Sequence, residues 1–437
     1  MTDDARGWAD PCSTAPPPRG QETALSTMPV RAMQSVAPGP VGIGAGAARA
    51  AGTGIAVVGT GVVGLATALG CAQLGIAVAL IGPAPRSGGA GELLFDPRIY
   101  AISQAARGLL TEQRVWSRVD PERSCAVSRM KVFGDSGGAL RFDARAAGVE
   151  RLATICEESQ LLQALWLGCS MAPGITHHAQ GFAAAQFDAD PVRLRLQDGT
   201  ELECALLLGA DGKASSVRAA AGIGAQTVSY GHTAFVANFS CELAHQGVAY
   251  QWFTGDEGIV ALLPLPGKRV SLVWSAPPTL LAEFEGLTAE AFAGRVARRS
   301  AYAFGDLAPL GQRHAFALQR VVVDRLVGPG VALLGDAAHV VHPLAGQGLN
   351  LGLQDVAEFL RLMQAREPWR GLADRVWLRR YERARAEPIA LMRGTVGALA
   401  QLFGSQDVRV RRLRNLGLSA VDALAPLKHA LIRHAMG

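Results

Sequence analysis

The sequence predicts an α/β chain in which a Rossmann-like domain built on a parallel sheet is interrupted by a second, mostly antiparallel β-sheet domain and closed by C-terminal helices. Three observations carry that prediction. A glycine-rich turn, Gly59-x-Gly61-x-x-Gly64, stands between a short apolar strand and a helix. Alternating segments with hairpin punctuation fill the middle of the chain. Residues 350 to 437 show helical spacing with Arg-rich polar faces.

Composition sets the bounds. A chain of 437 residues suggests two or three domains at about 150 residues each. Hydrophobic residues make up 49% and charged residues 18%, enough apolar surface for a sizeable core and too much for a disordered tail. The 51 glycines show no three-residue period, which excludes collagen. The seven cysteines are scattered, with no C-x-x-C pair. That pattern speaks against a disulfide framework or a zinc ribbon and favours a reducing compartment. A net charge of +5 is only mildly basic and gives no reason to expect nucleic acid.

Residues 1–53 read as a disordered extension. Pro16-Pro17-Pro18-Arg19-Gly20 and Ala37-Pro38-Gly39-Pro40 alternate with Ala, Ser and Thr without apolar periodicity, so little surface can be buried to offset chain entropy. No continuous apolar run of the secretory kind occurs there, and the expected location is the cytoplasm, with the inner face of the membrane as its boundary.

Ile55 to Gly82 contains no charged residue, which a hydropathy window reads as a membrane span. Its internal punctuation says otherwise. Ile55-Ala56-Val57-Val58 is a β-type run stopped by Gly59-Thr60-Gly61, a helix follows from Val62 to Leu74, Gly75 ends it, and Ile76 to Ile81 is a second buried strand. Strand, turn, helix, stop, strand is a βαβ unit. Further on, Met130–Phe133 and Leu140–Phe142 flank Asp135-Ser136-Gly137-Gly138 as a hairpin, and Phe235–Phe239, Ile259–Leu265 and Val270–Trp274 read as antiparallel strands.

Three motifs carry chemistry. In the first, the glycines of Gly59-x-Gly61-x-x-Gly64 serve a tight turn, close approach of backbone to pyrophosphate, and close packing of helix on strand. The helix N-terminus offers free N–H groups and partial positive charge to phosphates. The acid that usually ends the second strand and holds the ribose is missing: Gly82 stands there, followed by Pro83. The second motif, Gly209-Ala210-Asp211-Gly212-x-x-Ser215-x-Val217-Arg218, follows the strand-like Leu206–Leu208 and by itself reads as a turn. The third follows the strand Val331–Leu334: Gly335-Asp336-Ala337-Ala338-His339, then Pro343-Leu344-Ala345-Gly346-Gln347-Gly348-Leu349-Asn350 and a helix bearing Asp355. Asp336 can accept hydrogen bonds from a polyol, and Gly346 and Gly348 let backbone lie against a flat ring. The next helix aims its positive end at a ring that becomes anionic on reduction, a combination that suits a flavin.

These three motifs are similar, in order and spacing, to the fingerprints of single-component (class A) flavoprotein aromatic hydroxylases. The run from His342 to Leu353 resembles the branch that hydroxylates the ring of ubiquinone precursors, as do Asp96-x-Arg98-x-x-Ala101-x-Ser103 and Arg380-Tyr381-Glu382-Arg383. The resemblance spans about residues 54 to 405 of the sequence. It implies that Gly59, Gly61 and Gly64, with Val62 and Val63, hold the FAD pyrophosphate. Arg98 lies beside the cofactor, and Asp211 with Arg218 lines the region between FAD and the incoming nicotinamide. Asp336 binds the ribityl or phosphate part, and Pro343, Gly346, Gln347 and Gly348 edge the isoalloxazine, with Leu349 and Asn350 in the same cofactor site. One further departure stands out: Glu158 in Glu157-Glu158-x-x-Leu161 occupies a place where the family usually carries an asparagine.

The implied reaction has NAD(P)H reduce FAD and O₂ add to it. A flavin hydroperoxide then transfers OH to the ring of a prenylated phenol in ubiquinone biosynthesis. No catalytic nucleophile and no metal are expected. His339 and His342 fall inside the flavin motif, with no third ligand signalled nearby. The implied division is an FAD-binding domain in 54–124, 145–228 and 314–390, a substrate domain in 125–144 and 229–313, and C-terminal helices in 391–437. Substrate contacts are expected around Phe235, Trp252, Phe253, Leu262, Leu263, Pro264 and Trp274. From Asp407 onward six bases face two acids, and Leu413, Leu416, Leu424, Leu427 and Leu431 recur at helical spacing. That pattern suits peripheral contact with an anionic membrane or with a partner in a ubiquinone-biosynthesis complex. Three other readings stay open: a hydroxylase of a soluble phenol or benzoate, a flavoprotein reducing isoprenoid double bonds, and a non-catalytic assembly component.

Overall fold

The computed structural model describes residues 54–86, 95–341, 347–404, 407–424 and 428. The extension 1–53, and with it the expectation of disorder there, lies outside the described residues. So do Pro343, Gly346 and His342.

The charge-free stretch after Gly54 forms a strand (Ile55–Val58), a helix (Val62–Gln73) and a second strand (Val78–Ile81) paired in parallel with the first. Both strands are almost wholly buried, which is why neither alternates in polarity. They sit centrally in a six-stranded sheet. Its order is Val327–Gly328, Val331–Leu333, Leu206–Gly209, Ile55–Val58, Val78–Ile81, Ile175–His178, parallel except at the Val327–Gly328 edge. This order brings the strand ends preceding all three motifs side by side. Among the described residues no helix is long and apolar enough to cross a membrane.

The alternating segments form an eight-stranded sheet dominated by two 17-residue strands, Ala225–Cys241 and Leu307–Val323. The expected hairpin is present as Arg129–Phe133 paired with Ala139–Asp143. It joins the sheet through a parallel pairing with Val248–Phe253. At the other edge His339–Val340 pairs with Val321–Val322, tying the third motif to this sheet. One face of the sheet buries Phe235, Phe239, Leu262, Leu272 and Trp274 against the helices Leu281–Gly286 and Ala289–Arg299.

The C-terminal helices are Gln347–Gln364, Arg375–Gly404 and Val408–Ala423. The first opens three residues before the sequence reading starts it, so Gln347 to Leu349 form its first turn. The last helix packs on the hairpin. Asn415 Oδ1 accepts the backbone N–H groups of Ser136 (3.2 Å) and Gly138 (3.1 Å), and Arg414 pairs with Asp135. Burial raises the Asp135 carboxyl, but Arg414 and Asn415 hold it below its usual range.

Candidate active site

Two cavities meet at the junction of the sheets. The first, of about 680 Å³, is a crevice along the ends of Ile55–Val58, Val78–Ile81 and Leu206–Gly209, lined by Gly59, Gly61, Val62, Val63, Asp211 and Gly348 among others. The second, of about 450 Å³, is walled mainly by aliphatic side chains of the eight-stranded sheet. Tyr100 and Asp336 line both.

The crevice fits a dinucleotide. A Cβ on Gly64 would fall 2.0 Å from the Gly59 carbonyl, and one on Gly59 2.2 Å from the Ala210 carbonyl, so both glycines are required by backbone packing. Gly61 has nothing within 4 Å of a Cβ and is instead open to the crevice. The helix after it has no side-chain cap and no acid in its first turn, and Leu65 makes its first backbone bond to Gly61. The N–H groups of Val62, Val63 and Gly64 are therefore unpaired within the helix and aimed at the crevice, an arrangement that receives phosphate.

Gly82 explains its own lack of acid. Its φ is +142°, and a Cβ there would press on Thr60, whose Oγ1 donates to the Pro83 carbonyl at 2.7 Å. A side chain at this position would be strained. This end of the crevice is lined instead by Gly181, Phe182 and Gln197.

Asp211 works on two sides. Its Oδ2 accepts from Ser216 N (2.7 Å), Ser216 Oγ (2.9 Å) and Val217 N (3.2 Å), fixing the short helix that follows. Its Oδ1 is buried without a partner among the described residues, a free acceptor for a cofactor hydroxyl. Arg218 lines neither cavity. It donates to the carbonyls of Ala337 and Lys213, both at 2.9 Å, and so straps the second motif to the third.

Asp336 sits at the junction, open to the cavities yet enclosed by protein, and burial pushes its carboxyl above the usual range. The turn that presents it is held from behind. Asp355 is fully buried; its Oδ2 accepts the Gly335 N–H (2.9 Å) and lies 2.6 Å from His339 Nε2, while Oδ1 accepts from Arg385 Nε at 2.7 Å. Burial raises the Asp355 carboxyl, but His339 and Arg385 outweigh it and hold the group below the carboxylate range. His339 is 4% exposed and supports the cofactor turn from this position.

The remaining expected site residues divide between the cavities. Gly348 and Leu349 line the crevice; Gln347, Asn350 and Arg98 line the apolar cavity. The Asn350 amide is held at both ends, accepting from Ser103 N (2.9 Å) and donating to Ala101 O (2.8 Å). Arg98 donates to Glu158 at 3.1 Å, so the carboxylate that departs from the family pattern is paired with a guanidinium that is more than half exposed. Tyr100, which the sequence reading did not single out, donates to the same carboxylate at 3.1 Å.

The expected substrate contacts need correction. Of the seven named, only Leu263 lines the cavity. Phe235, Leu262 and Trp274 point to the opposite face and pack on the two helices; Trp252 packs against the same core, and Phe253 stacks on Phe403. Pro264 is not among the lining residues. Side chains alternate along a strand, so the cavity is lined by the neighbours Ala234, Val236 and Val273. Both faces are apolar here, and the bulky side chains fill the core.

The model of the FAD binding domain family matches residues 52–392. The chain belongs to that family. It is 35% identical to the ubiquinone hydroxylase UbiL of Rhodospirillum rubrum over 386 residues, covering 88% of this chain and 89% of the relative. To the 3-demethoxyubiquinol 3-hydroxylase of Escherichia coli it is 34% identical over 387 residues, covering 88% and 98%. Its fold is shared with the crystal structure of p-nitrophenol 4-monooxygenase PnpA from Pseudomonas putida, at a TM-score of 0.71 and 16% identity, over 88% of this chain and 98% of that one. Within the family the chain falls in the ubiquinone-biosynthesis branch of the class A flavoprotein hydroxylases. It is an FAD-dependent monooxygenase, with NAD(P)H as reductant and O₂ as co-substrate.

Proposed function

We propose that the chain hydroxylates the aromatic ring of a prenylated phenol on the route to ubiquinone. The observation that carries this reading is the apolar cavity sharing Tyr100 and Asp336 with the dinucleotide crevice. Among the described residues Arg98 is the one cation on its wall, and it is paired with Glu158. A benzoate carboxylate would find no unpaired cation there among the described residues, whereas an isoprenoid chain would meet Val127, Met130, Phe142 and Leu152.

FAD, when bound, would supply the redox chemistry by which NAD(P)H and O₂ convert a ring C–H to C–OH, the second oxygen atom leaving as water. The protein does the rest. Gly59 to Gly64 and the helix N-terminus would hold the phosphates, and Asp211 Oδ1 and Asp336 would accept hydroxyls of the cofactor; Arg385, Asp355 and His339 fix the turn that carries Asp336. The aliphatic walls keep water from the reacting ring, which limits loss of oxidising equivalents as peroxide. Met130 and Phe142 pack on the same small core, Val132, Leu140, Phe253, Ile259 and Phe403, as Met392, Leu399, Leu418 and Val421 of the C-terminal helices, so the hairpin side of the cavity shares a core with those helices.

The last helix suits peripheral membrane contact. Leu418, Val421, Arg414 and Asn415 face the hairpin, whereas Leu413, Leu416 and Leu424 form one outward stripe flanked by Arg409 and Arg412. Leu413 and Leu416 are each 67% exposed. Basic residues beside exposed leucines match an anionic bilayer, the phase into which a polyprenyl substrate partitions.

The test is product analysis. Incubation of the FAD-loaded protein with NADPH, ¹⁸O₂ and a short-chain prenylated phenol is expected to give a product carrying one ¹⁸O atom. NADPH oxidation without oxygen incorporation would overturn the reading. Co-sedimentation with anionic but not zwitterionic vesicles, abolished by R409E/R412E, tests the membrane contact.

A further inference from the structure

One row of residues crosses five strands of the large sheet. Val236 stands opposite Val273, Val273 opposite Ala261, Ala261 opposite Gln251, and Gln251 opposite Val132. Four of them, Val236, Val273, Ala261 and Gln251, line the apolar cavity. Gln251 is the polar member of that row. It is 6% exposed, and its side chain makes no hydrogen bond to any described residue. Its neighbours on the same face of its strand, Ala249 and Phe253, are apolar, and the small Ala261 beside it leaves room above the amide.

The Gln251 amide opens on the cavity it lines, so its donors and acceptor are satisfied only by what the cavity holds. Other polar groups on this wall already are: Asn350 holds Ser103 and Ala101, Ser103 Oγ accepts from Ala106 N, and Tyr100 and Arg98 both donate to Glu158. Asp336 and Gln347 belong to the end where the cavity meets the cofactor crevice. Gln251 is thus a free donor and acceptor set among aliphatic groups.

We propose that Gln251 is the specificity-determining residue of the substrate cavity. Its Nε2 donates to, and its Oε1 accepts from, an oxygen substituent on the aromatic ring, so the ring is held in one orientation before the cofactor. The ligand class is a ring bearing a hydroxyl or alkoxy group with an apolar tail, the aliphatic walls taking the tail. This rests on the substrate class proposed above.

The test compares two probes, a short-chain prenylated phenol and the corresponding prenylbenzene lacking the hydroxyl. Binding is read from the perturbation of flavin absorbance in the FAD-loaded protein. The wild type is expected to prefer the phenol about ten-fold or more. In Gln251→Met, which keeps volume and removes both polar atoms, the two affinities are expected to converge, and the melting temperature of the ligand-free protein is expected not to fall. Gln251→Leu is the second variant, with the same expectation. A preference unchanged in either variant, or a lowered melting temperature with the preference retained, would overturn the proposal. Failure of the substrate reading shows in the wild type itself, as no binding of either probe, and takes this proposal with it. Failure of the Gln251 assignment alone shows only in the variants.

Discussion

The Tyr100 hydroxyl donates to Glu158 Oε1 at 3.1 Å, across the wall that separates the cofactor crevice from the substrate cavity. The same carboxylate accepts from Arg98. Glu158 therefore organises the partition between two ligands and at the same time sets a negative charge against an anionic cofactor.

Glu158→Gln keeps an acceptor for Tyr100 and removes the charge. Its cost to stability is expected to stay within about 1 kcal/mol, because Arg98 is more than half exposed. FAD is expected to bind a few-fold more tightly, with an advantage that shrinks at high salt. Fluorescence titration of the apoprotein at two ionic strengths checks this; weaker binding would show that the carboxylate itself supports the cofactor.

Gly61→Ala and Gly64→Ala separate binding from folding. A methyl on Gly61 meets nothing and enters the crevice, whereas one on Gly64 strikes the Gly59 carbonyl. The first variant is expected to melt like the wild type without cofactor and to lose at least about ten-fold in FAD affinity, roughly 1.4 kcal/mol. The second is expected to lose stability even as apoprotein. Paired melting curves with and without FAD distinguish them.

Asp355 gives a pH dependence with a definite sign. Its folded carboxyl is held below its unfolded value of about 3.9. The stabilisation is therefore complete above about pH 4 to 5 and is lost as pH falls through the lowered folded value. Asp355→Asn leaves Arg385 facing a neutral amide in a buried site, at an expected cost of about 3 kcal/mol at neutral pH. The difference from the wild type is expected to narrow in acid. Denaturant unfolding at pH 7 and at about pH 2.5, well below the unfolded value, measures it, and a constant difference would contradict the assignment.

The six thiols among the described residues are expected to be inert in the folded state. Burial pushes Cys71, Cys156, Cys169, Cys204 and Cys241 up to about 12, and Cys125 to about 11. Among these six, alkylation of the native protein at pH 8 is expected at Cys125 first, because it is only partly buried. Mass spectrometry after brief labelling checks the order.

Local signals marked part of the candidate cofactor site, and the family resemblance supplied the rest. Gly59, Gly61 and Gly64 are read directly because a turn, an open approach and a close packing contact each demand glycine within six residues. Asp336 is legible as a candidate because it follows an uninterrupted apolar strand and precedes a glycine-rich helix start, whereas the Asp211 motif by itself reads as a turn and only the family resemblance gives it a role. What the linear pattern did not contain was which face of the antiparallel sheet meets the substrate. Phe235 and Val236, or Trp274 and Val273, are equally apolar, and alternation marks a face only when the other face is wet. The chain's folding chose the aromatic residues for the core and left the smaller ones to line a cavity. Long-range pairings were hidden for the same reason: Tyr100 meets Glu158 across 58 positions, and Asp355 meets Arg385 across 30. Hydrogen bonding between groups that far apart depends on strand order and helix docking, which no local spacing encodes.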